Sequence, residues 1–222
     1  MKFNKYHFFK EDLSEDLFQH YKLANVLAVD TELTGLNLNR DRICLIQISD
    51  GDQHSVVQVN PDWIPEGIKS IMEANSIKKV FHHAVVDVCF FLADLSIQVE
   101  NIACTKVMSK IVRTYTEYHG LKDLFQELLD IKIDKTIRQS AWFVKEPSQK
   151  QLTYAVQDVS RLVELYFKLL DLMDERGSLR SGFQCTALND HAHQALKNHI
   201  PLLVSGFSSP DNSWDCSPVF KY

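Results

Sequence analysis

The sequence lacks the features of membrane-spanning and secreted proteins. None of its apolar runs is long enough to cross a bilayer, and the first residues, Met1 to Lys5, contain no signal-peptide apolar stretch. The five cysteines are odd in number and scattered, and none belongs to a Cys-x-x-Cys pair, so neither a disulfide framework nor a zinc knuckle is indicated. We therefore expect a cytoplasmic protein with no membrane partner.

An excess of basic residues is also missing. The chain has 24 Lys and Arg against 29 Asp and Glu, a net charge of −5, which argues against broad duplex binding through a basic surface. No internal repeat or low-complexity tract is visible, and a hydrophobic content of 45% is enough for a sizeable core. We expect one domain over residues 1–176 and an extension over residues 177–222 that is either packed or an oligomer contact.

The hydrophobic pattern predicts an α/β protein. Short polar turns separate the first three strands, which indicates an antiparallel meander, and a crossover helix then returns the chain to a strand parallel to the first. The predicted strands are Val26–Val29, Ile43–Ser49, Ser55–Val59 and Lys78–His82. The predicted helices are Ile64–Ala74, Asp87–Leu95, Thr105–Val112, Leu121–Asp130 and a long helix from the N-cap Ser148 to about Glu175.

Four acidic residues and one tyrosine occupy three separate stretches of the chain. Asp30 and Glu32 lie two apart at the end of an apolar strand, so both point to the same face. Asp87 follows another strand and opens a helix, whose positive end favours a carboxylate. Tyr154 and Asp158 are four apart in a helical pattern and share a face. These positions predict that the five side chains meet.

The grouping is more informative than any single residue. An Asp-x-Glu pair alone is usually a solvated strand end, and Tyr-x-x-x-Asp is common by chance. Four carboxylates in one place repel each other strongly unless cations lie among them. Hard oxygen ligands suit Mg²⁺ or Mn²⁺ better than zinc. The set therefore predicts a two-metal site for phosphoryl transfer, with Asp30, Glu32, Asp87 and Asp158 as ligands.

The three stretches resemble the exonuclease motifs of the DEDD superfamily, in its tyrosine-bearing branch, of which ribonuclease D is the familiar member. Asp30 and Glu32 match the first motif, Asp87 the second, and Tyr154 with Asp158 the third. The segment from residue 104 to 122 closely resembles nanoribonuclease C, a short relative of ribonuclease D. The resemblance covers roughly residues 26–170 and implies a ribonuclease H-like fold, a mixed β-sheet flanked by helices.

The sequence departs from the family pattern at three positions, none of which is a metal ligand. Val86 stands where an aromatic residue usually precedes the second-motif Asp, and His83 stands where Asn, a small residue or an aromatic is common. Ala141 stands where an acidic residue often precedes the Trp, here Trp142, which we interpret as a core or wall residue. These departures affect the pocket wall rather than the metal site.

The resemblance implies an activity with several forms. The first is a 3′-5′ exoribonuclease that uses two Mg²⁺ or Mn²⁺ ions and acts on very short single-stranded RNA, as a homo-oligomer. The second is an enzyme that trims longer RNA 3′ ends in the manner of ribonuclease D, or a DNA exonuclease. Ribonuclease D itself carries extra C-terminal RNA-binding domains for which this chain has no room, which favours the first form. A third hypothesis, of a different class, is an inactive nucleic-acid-binding module, and the presence of all five motif residues counts against it.

The resemblance also implies roles for individual side chains. Tyr154 would orient the attacking water, and Leu36 would wedge between the terminal bases. Lys106, Lys110 and Arg113 recur at helical spacing, with Lys122 and Arg138 nearby, and are either phosphate contacts or a solvated helix face. The expected substrate-binding residues are Thr31, Leu33, Leu36, His82, His83, Lys106, Arg113, Tyr115 and His119.

Overall fold

One six-stranded mixed sheet organises the molecule, in the order β1-β4-β3-β2-β5-β6. The computed structural model describes residues 6–132, 141–179 and 185–205. Its strands are β1 (His7–Lys10), β2 (Val26–Leu33), β3 (Ile43–Ser49), β4 (His54–Gln58), β5 (Lys78–Phe81) and β6 (Ile102–Cys104). Strands β2, β3 and β4 pair antiparallel, whereas β5 pairs parallel with β2 and β6, and β1 pairs parallel with β4.

Helices cover both faces of this sheet. They are α1 (Glu15–Lys22), α2 (Glu66–Glu73), α3 (Val85–Leu95), α4 (Thr105–Val112), α5 (Leu121–Leu129), α6 (Gln149–Ser160), α7 (Leu162–Leu179) and α8 (Cys185–Val204). Alternate residues of β2 divide between two cores: Leu27 and Val29 pack in the one that contains α3, and Ala28 packs in the one that contains α5 and α7. Every residue of β3 is buried, as expected for a strand covered on both faces.

The predicted meander and the parallel return of β5 are confirmed by the strand pairing. The main difference lies in the long helix that begins after Ser148. Its N-terminus is confirmed by a capping box, in which Ser148 and Gln151 satisfy each other's backbone N–H groups. The helix does not continue to Glu175 unbroken, because the backbone leaves helical geometry at Arg161 and separates α6 from α7.

The sequence interpretation missed β1, α1, β6 and α8. Strand β6 has only three residues, and β1 has two adjacent apolar residues, Phe8 and Phe9, between polar ones, so neither shows a periodic pattern. Helix α8 lies in the stretch interpreted as a tail, and it packs against α3, α4, α7 and β6, with Leu196 and Ile200 in the core. This part of the tail is therefore a packed extension. None of the helices in the described ranges has the length and apolar content to span a membrane.

Candidate active site

The first two motifs meet where parallel strands β2 and β5 end. Asp30 and Glu32 lie within β2, which continues to a bulge between Glu32 and Leu33. Strand β5 ends at the same edge, and the chain turns from it into α3 through His83, whose φ of 72° is left-handed. This turn places Asp87 in the first turn of α3. Parallel pairing therefore brings three carboxylates to one edge of the sheet.

A buried hydrogen bond joins the first motif to the second. Thr31 Oγ1 donates to Asp87 Oδ1 at 2.6 Å, and Asp87 is only 5% exposed. A hydrogen bond to a buried carboxylate is among the stronger neutral-to-charged contacts in proteins. Thr31, which was expected to contact substrate, thus fixes the second-motif carboxylate against the strand of the first.

Helix α6 supplies the third motif. It packs against β2, β3 and β4, and it carries Tyr154 and Asp158 one turn apart. Tyr154 is buried beside Trp142, with 6.1 Å between the ring centroids. The interpretation of Trp142 as a core or wall residue agrees with this packing, because the side chain is buried and also lines the cleft described next.

All five motif residues line a cleft of about 620 Å³. Six of the nine expected substrate residues line it as well, namely Thr31, Leu33, Leu36, His82, His83 and Lys106. Val86, a departure expected to affect the pocket wall, lines the cleft too, as does Gly35 beside Leu36. The sequence interpretation gave no role to three further lining residues: Thr34, Gly120 and Leu121. Thr34 lies two residues from Glu32 along the chain, which was a usable signal, whereas Gly120 and Leu121 carried no chemical signal of their own.

The carboxylates of the cleft raise each other's pKa. Burial is the main cause for Asp30, whose pKa is well above the usual range, and the charges of Asp87, Asp158 and Glu32 add to it. Burial raises the pKa of Glu32 to about 8, with Asp158 and Asp87 contributing. Burial also raises the pKa of Asp87 to about 7, against the opposing hydrogen bond from Thr31. The four groups therefore share one electrostatic environment in which full ionisation is costly.

The donor set fits hard divalent cations. Carboxylate oxygens are the preferred protein ligands of Mg²⁺ and Mn²⁺, and the cluster offers four carboxylates. In the present side-chain positions of the described residues, no group of three His, Cys, Asp or Glu side chains converges on one ion. All four carboxylates nevertheless line the same cleft, and the charges of Asp87, Asp158 and Glu32 all raise the pKa of Asp30.

Two histidines line the side of the cleft formed by β5 and α4. Thr105 Oγ1 donates to the carbonyl of Phe81 at 3.2 Å, so it accepts from His82 Nδ1 at 2.9 Å, which places a proton on Nδ1. Burial and the charges of Lys106 and Lys110 lower the pKa of His83 to about 4. His83 is therefore a neutral ring at physiological pH, and the cation on this wall is Lys106.

Arg113 is a correction to the sequence interpretation. Its guanidinium is 1% exposed; Nη1 donates to Ser109 Oγ at 2.9 Å and to the carbonyl of Tyr118 at 2.7 Å. Its Nε and Nη2 form a two-point ion pair with Glu127. Helical spacing with Lys106 was misleading, because α4 ends one residue earlier and Arg113 leaves the helical direction. Its burial argues against direct phosphate contact.

Tyr115 and His119, the other two expected substrate residues that do not line the cleft, belong to the hydrogen-bond network of Arg113. Tyr115 donates its hydroxyl to Glu127 at 2.5 Å, and the His119 ring lies 2.8 Å from Ser109 Oγ. Both lie in the loop between α4 and α5, which ends at Gly120 on the cleft wall. Their contacts favour a role in holding this loop. Arg138, also considered as a phosphate contact, lies outside the described residues.

The raised pKa values predict that stability depends on pH and on divalent cations. Folding raises the pKa of Glu32 and Asp87 above their unfolded values, so without cations the contribution of these two groups to stability is largest below pH ~4 and is lost as pH rises through about 7 and 8. In EDTA, the free energy of unfolding of wild type should fall between pH 6.5 and 8.0. Glu32→Gln should reduce this fall by about 1–2 kcal/mol. Urea titrations at both pH values measure it.

The exposed Glu117→Gln is the matched control and should keep the wild-type pH dependence. Adding Mg²⁺ should stabilise wild type more at pH 8.0 than at 6.5, because cations and protons compete for the same oxygens. Identical pH dependence in wild type and Glu32→Gln would contradict the shared electrostatic environment of the cluster.

Known proteins are similar to this chain in sequence and in fold. Ribonuclease D of Gluconacetobacter diazotrophicus is 28% identical over 172 residues, covering 76% of this chain and 43% of that protein. The chain spans about two fifths of the length of such curated relatives. Brucella melitensis NrnC with bound Mg²⁺ is 31% identical with a TM-score of 0.83, covering 93% of this chain and 97% of its own. Escherichia coli RNase D is 20% identical with a TM-score of 0.73. The match covers 88% of this chain and 50% of RNase D, and it shows that the two share a fold.

A family model described as 3′-5′ exonuclease matches residues 7–174. The match begins at β1 and includes β2, α3 and α6, the elements that carry all five motif residues. Because it covers more than half of the sequence, the chain belongs to this 3′-5′ exonuclease family.

Proposed function

We propose that the protein is a metal-dependent 3′-5′ exoribonuclease that releases nucleoside 5′-monophosphates from very short RNA, dinucleotides included. The observation that carries this proposal is the convergence of four carboxylates and Tyr154 in one cleft. A structure of Brucella melitensis NrnC bound to pGG, 32% identical to this chain, supports the short substrate. We further propose that it works in the cytoplasm.

The carboxylates would hold two Mg²⁺ or Mn²⁺ ions. Asp30, Glu32 and Asp158 would hold one, and Asp30 with Asp87 the other. When bound, ions of this kind activate a water molecule and stabilise the departing oxygen of a phosphodiester. The contribution of the chain is to bring the ligands together, and the hydrogen bond from Thr31 to Asp87 keeps one of them in place.

The remaining cleft residues would bind and orient the substrate. The Tyr154 hydroxyl would orient the attacking water through a hydrogen bond. A phenol is too weak a base to deprotonate that water alone. Leu36 is 55% exposed at the cleft and would separate the last two bases. A Cβ on the preceding Gly35 would overlap the Asp41 carboxylate and displace it from its hydrogen bonds with Asn37 N and the Thr34 hydroxyl. Lys106 would contact a phosphate.

Two features support an assembly of several copies. Large apolar side chains are exposed, including Leu23, Tyr118 and Leu202. An apolar groove of about 400 Å³ also runs between α3 and α8, next to Pro201. Exposed apolar surface of this kind is typical of protein contacts. We therefore propose a homo-oligomer.

Trimming of longer RNA 3′ ends is the second candidate. The curated relatives named ribonuclease D favour it, although they are more than twice as long as the aligned segment. End-labelled RNAs of two, five and twenty nucleotides distinguish the two forms. We expect metal-dependent hydrolysis that is more efficient on the RNAs of two and five nucleotides than on the twenty-mer, and no turnover in EDTA or with Asp158→Asn.

The exposed Asp174→Asn on α7 is the matched control and should be as active as wild type. Equal catalytic efficiency on dinucleotides and twenty-mers would reject the short-substrate proposal in favour of trimming. An active Asp158→Asn variant would reject the two-metal site.

Replacing Tyr154 with Phe should slow turnover without removing the site. The ring would still pack beside Trp142, whereas the hydroxyl that orients water would be lost. We expect kcat to fall on the order of 10²–10⁴-fold, as for a general acid–base group, with little change in KM or in the Mg²⁺ concentration needed for half-maximal activity. A variant as fast as wild type would exclude the hydroxyl from the mechanism.

Arg113 and Lys106 should affect different properties. Arg113→Lys breaks the two-point contact with Glu127 and should lower the urea midpoint of unfolding. It should leave unchanged the ratio of kcat/KM for 5′-phosphorylated over unphosphorylated dinucleotides. Lys106→Gln should lower that ratio and leave the midpoint unchanged. If Arg113→Lys instead lowered this ratio, we would conclude that Arg113 contacts the 5′-phosphate, contrary to what its burial indicates.

A further inference from the structure

An exposed cation–aromatic pair lies outside the machinery described so far. The Arg42 guanidinium lies over the Phe143 ring, 6.0 Å from the centroid, and Phe143 remains 67% exposed. Within the described residues, no carboxylate lies at ion-pair distance from Arg42. A large exposed ring beside an unneutralised cation is the pair of groups that proteins use to hold a nucleotide.

The pair lies on the rim of the cleft, attached to it on both sides. Thr34 lines the cleft, and its backbone N–H donates to the Arg42 carbonyl at 3.0 Å while its hydroxyl accepts from Arg42 N at 3.0 Å. Phe143 directly follows Trp142, another lining residue. The loop bonded to Arg42 also presents Leu36, so the rim pair borders the place where the bases would be separated.

The backbone around the ring is held in place. Val144 N donates to the Trp142 carbonyl at 2.9 Å, which closes a tight turn with the aromatic residue at its centre. Gln58 Nε2 donates to the Val144 carbonyl at 2.7 Å, and Gln151 Nε2 donates to the Ala141 carbonyl at 3.1 Å. These contacts hold the backbone that carries the ring before any ligand arrives, which lowers the entropy lost on binding.

We propose that Arg42 and Phe143 bind the third nucleotide from the 3′ end of a single-stranded RNA. The base stacks on the Phe143 ring and the guanidinium contacts the adjoining phosphate, because every base offers a π-face and every linkage offers a charge. The inference rests on the proposed function, in which the last two nucleotides occupy the cleft. It makes Phe143 a determinant of substrate length, since a dinucleotide cannot reach the rim.

Steady-state kinetics on a dinucleotide and a pentanucleotide test this site. Phe143→Ala should lower kcat/KM for the pentanucleotide on the order of 10-fold through KM, as expected for the loss of one stacked base. Its dinucleotide efficiency should stay within about twofold of wild type, because the rim lies outside the two-nucleotide cleft. Phe143→Tyr should retain wild-type behaviour on both, and Arg42→Gln should resemble Phe143→Ala. Phe167→Ala, an exposed phenylalanine on α7, is the matched control and should change neither.

A modified substrate gives the decisive comparison. With wild type, kcat/KM should be lower by the same factor for a pentanucleotide that is abasic at the third position from the 3′ end. With this abasic substrate, Phe143→Ala should cause no further fall in kcat/KM. Unchanged pentanucleotide kinetics, or an equal loss on both substrates, would overturn the inference. A smaller particle mass of Phe143→Ala in light scattering would overturn it too, by assigning the ring to a contact between copies. If wild type cleaves no dinucleotide, the proposed function fails, whereas the abasic comparison still tests the rim.

Discussion

The repulsion among four clustered carboxylates is the constraint on which the rest of the site depends. Burial raises the pKa of Asp30, Glu32 and Asp87, and at Asp30 the charges of Asp87, Asp158 and Glu32 raise it further. Such an arrangement is retained only if something else imposes it. Here strand pairing imposes it, since parallel β2 and β5 end at one edge of the sheet and two cores fix the helices above and below. Backbone hydrogen bonds and apolar packing thus hold together groups whose charges oppose their proximity.

The local pattern of the sequence was sufficient for the five motif residues but not for the cleft around them. Asp30 with Glu32, and Tyr154 with Asp158, are spaced so that strand and helix geometry decide their direction. The direction of the Arg113 side chain depends instead on where α4 ends and on its ion pair with Glu127 in the next helix, and both are set by tertiary structure. A charge at helical spacing predicts a shared face only while the helix continues.

Clear apolar runs between turn signals separate the parts of the fold that could be predicted from those that could not. The meander and β5 have alternating or continuous apolar runs between clear turns, and the structure confirms them. Strand β6 has three residues, and α8 has a low contrast between its faces because it packs against several elements. The break at Arg161 had no Gly or Pro to announce it. Such features depend on tertiary packing, so they cannot be predicted from the local sequence pattern.

An acidic chain can bind an acidic polymer when its charges are separated in space. Of the net charge of −5, four negative charges belong to the cluster, and two divalent ions would bring the total to about −1. The cations Lys106 and Arg42 lie at the wall and rim of the same cleft, away from a broad surface. With so few phosphate contacts, affinity must come mainly from the reacting end of the substrate and from stacking of bases rather than from the length of the backbone. The distribution of charge thus supports the proposal of short substrates.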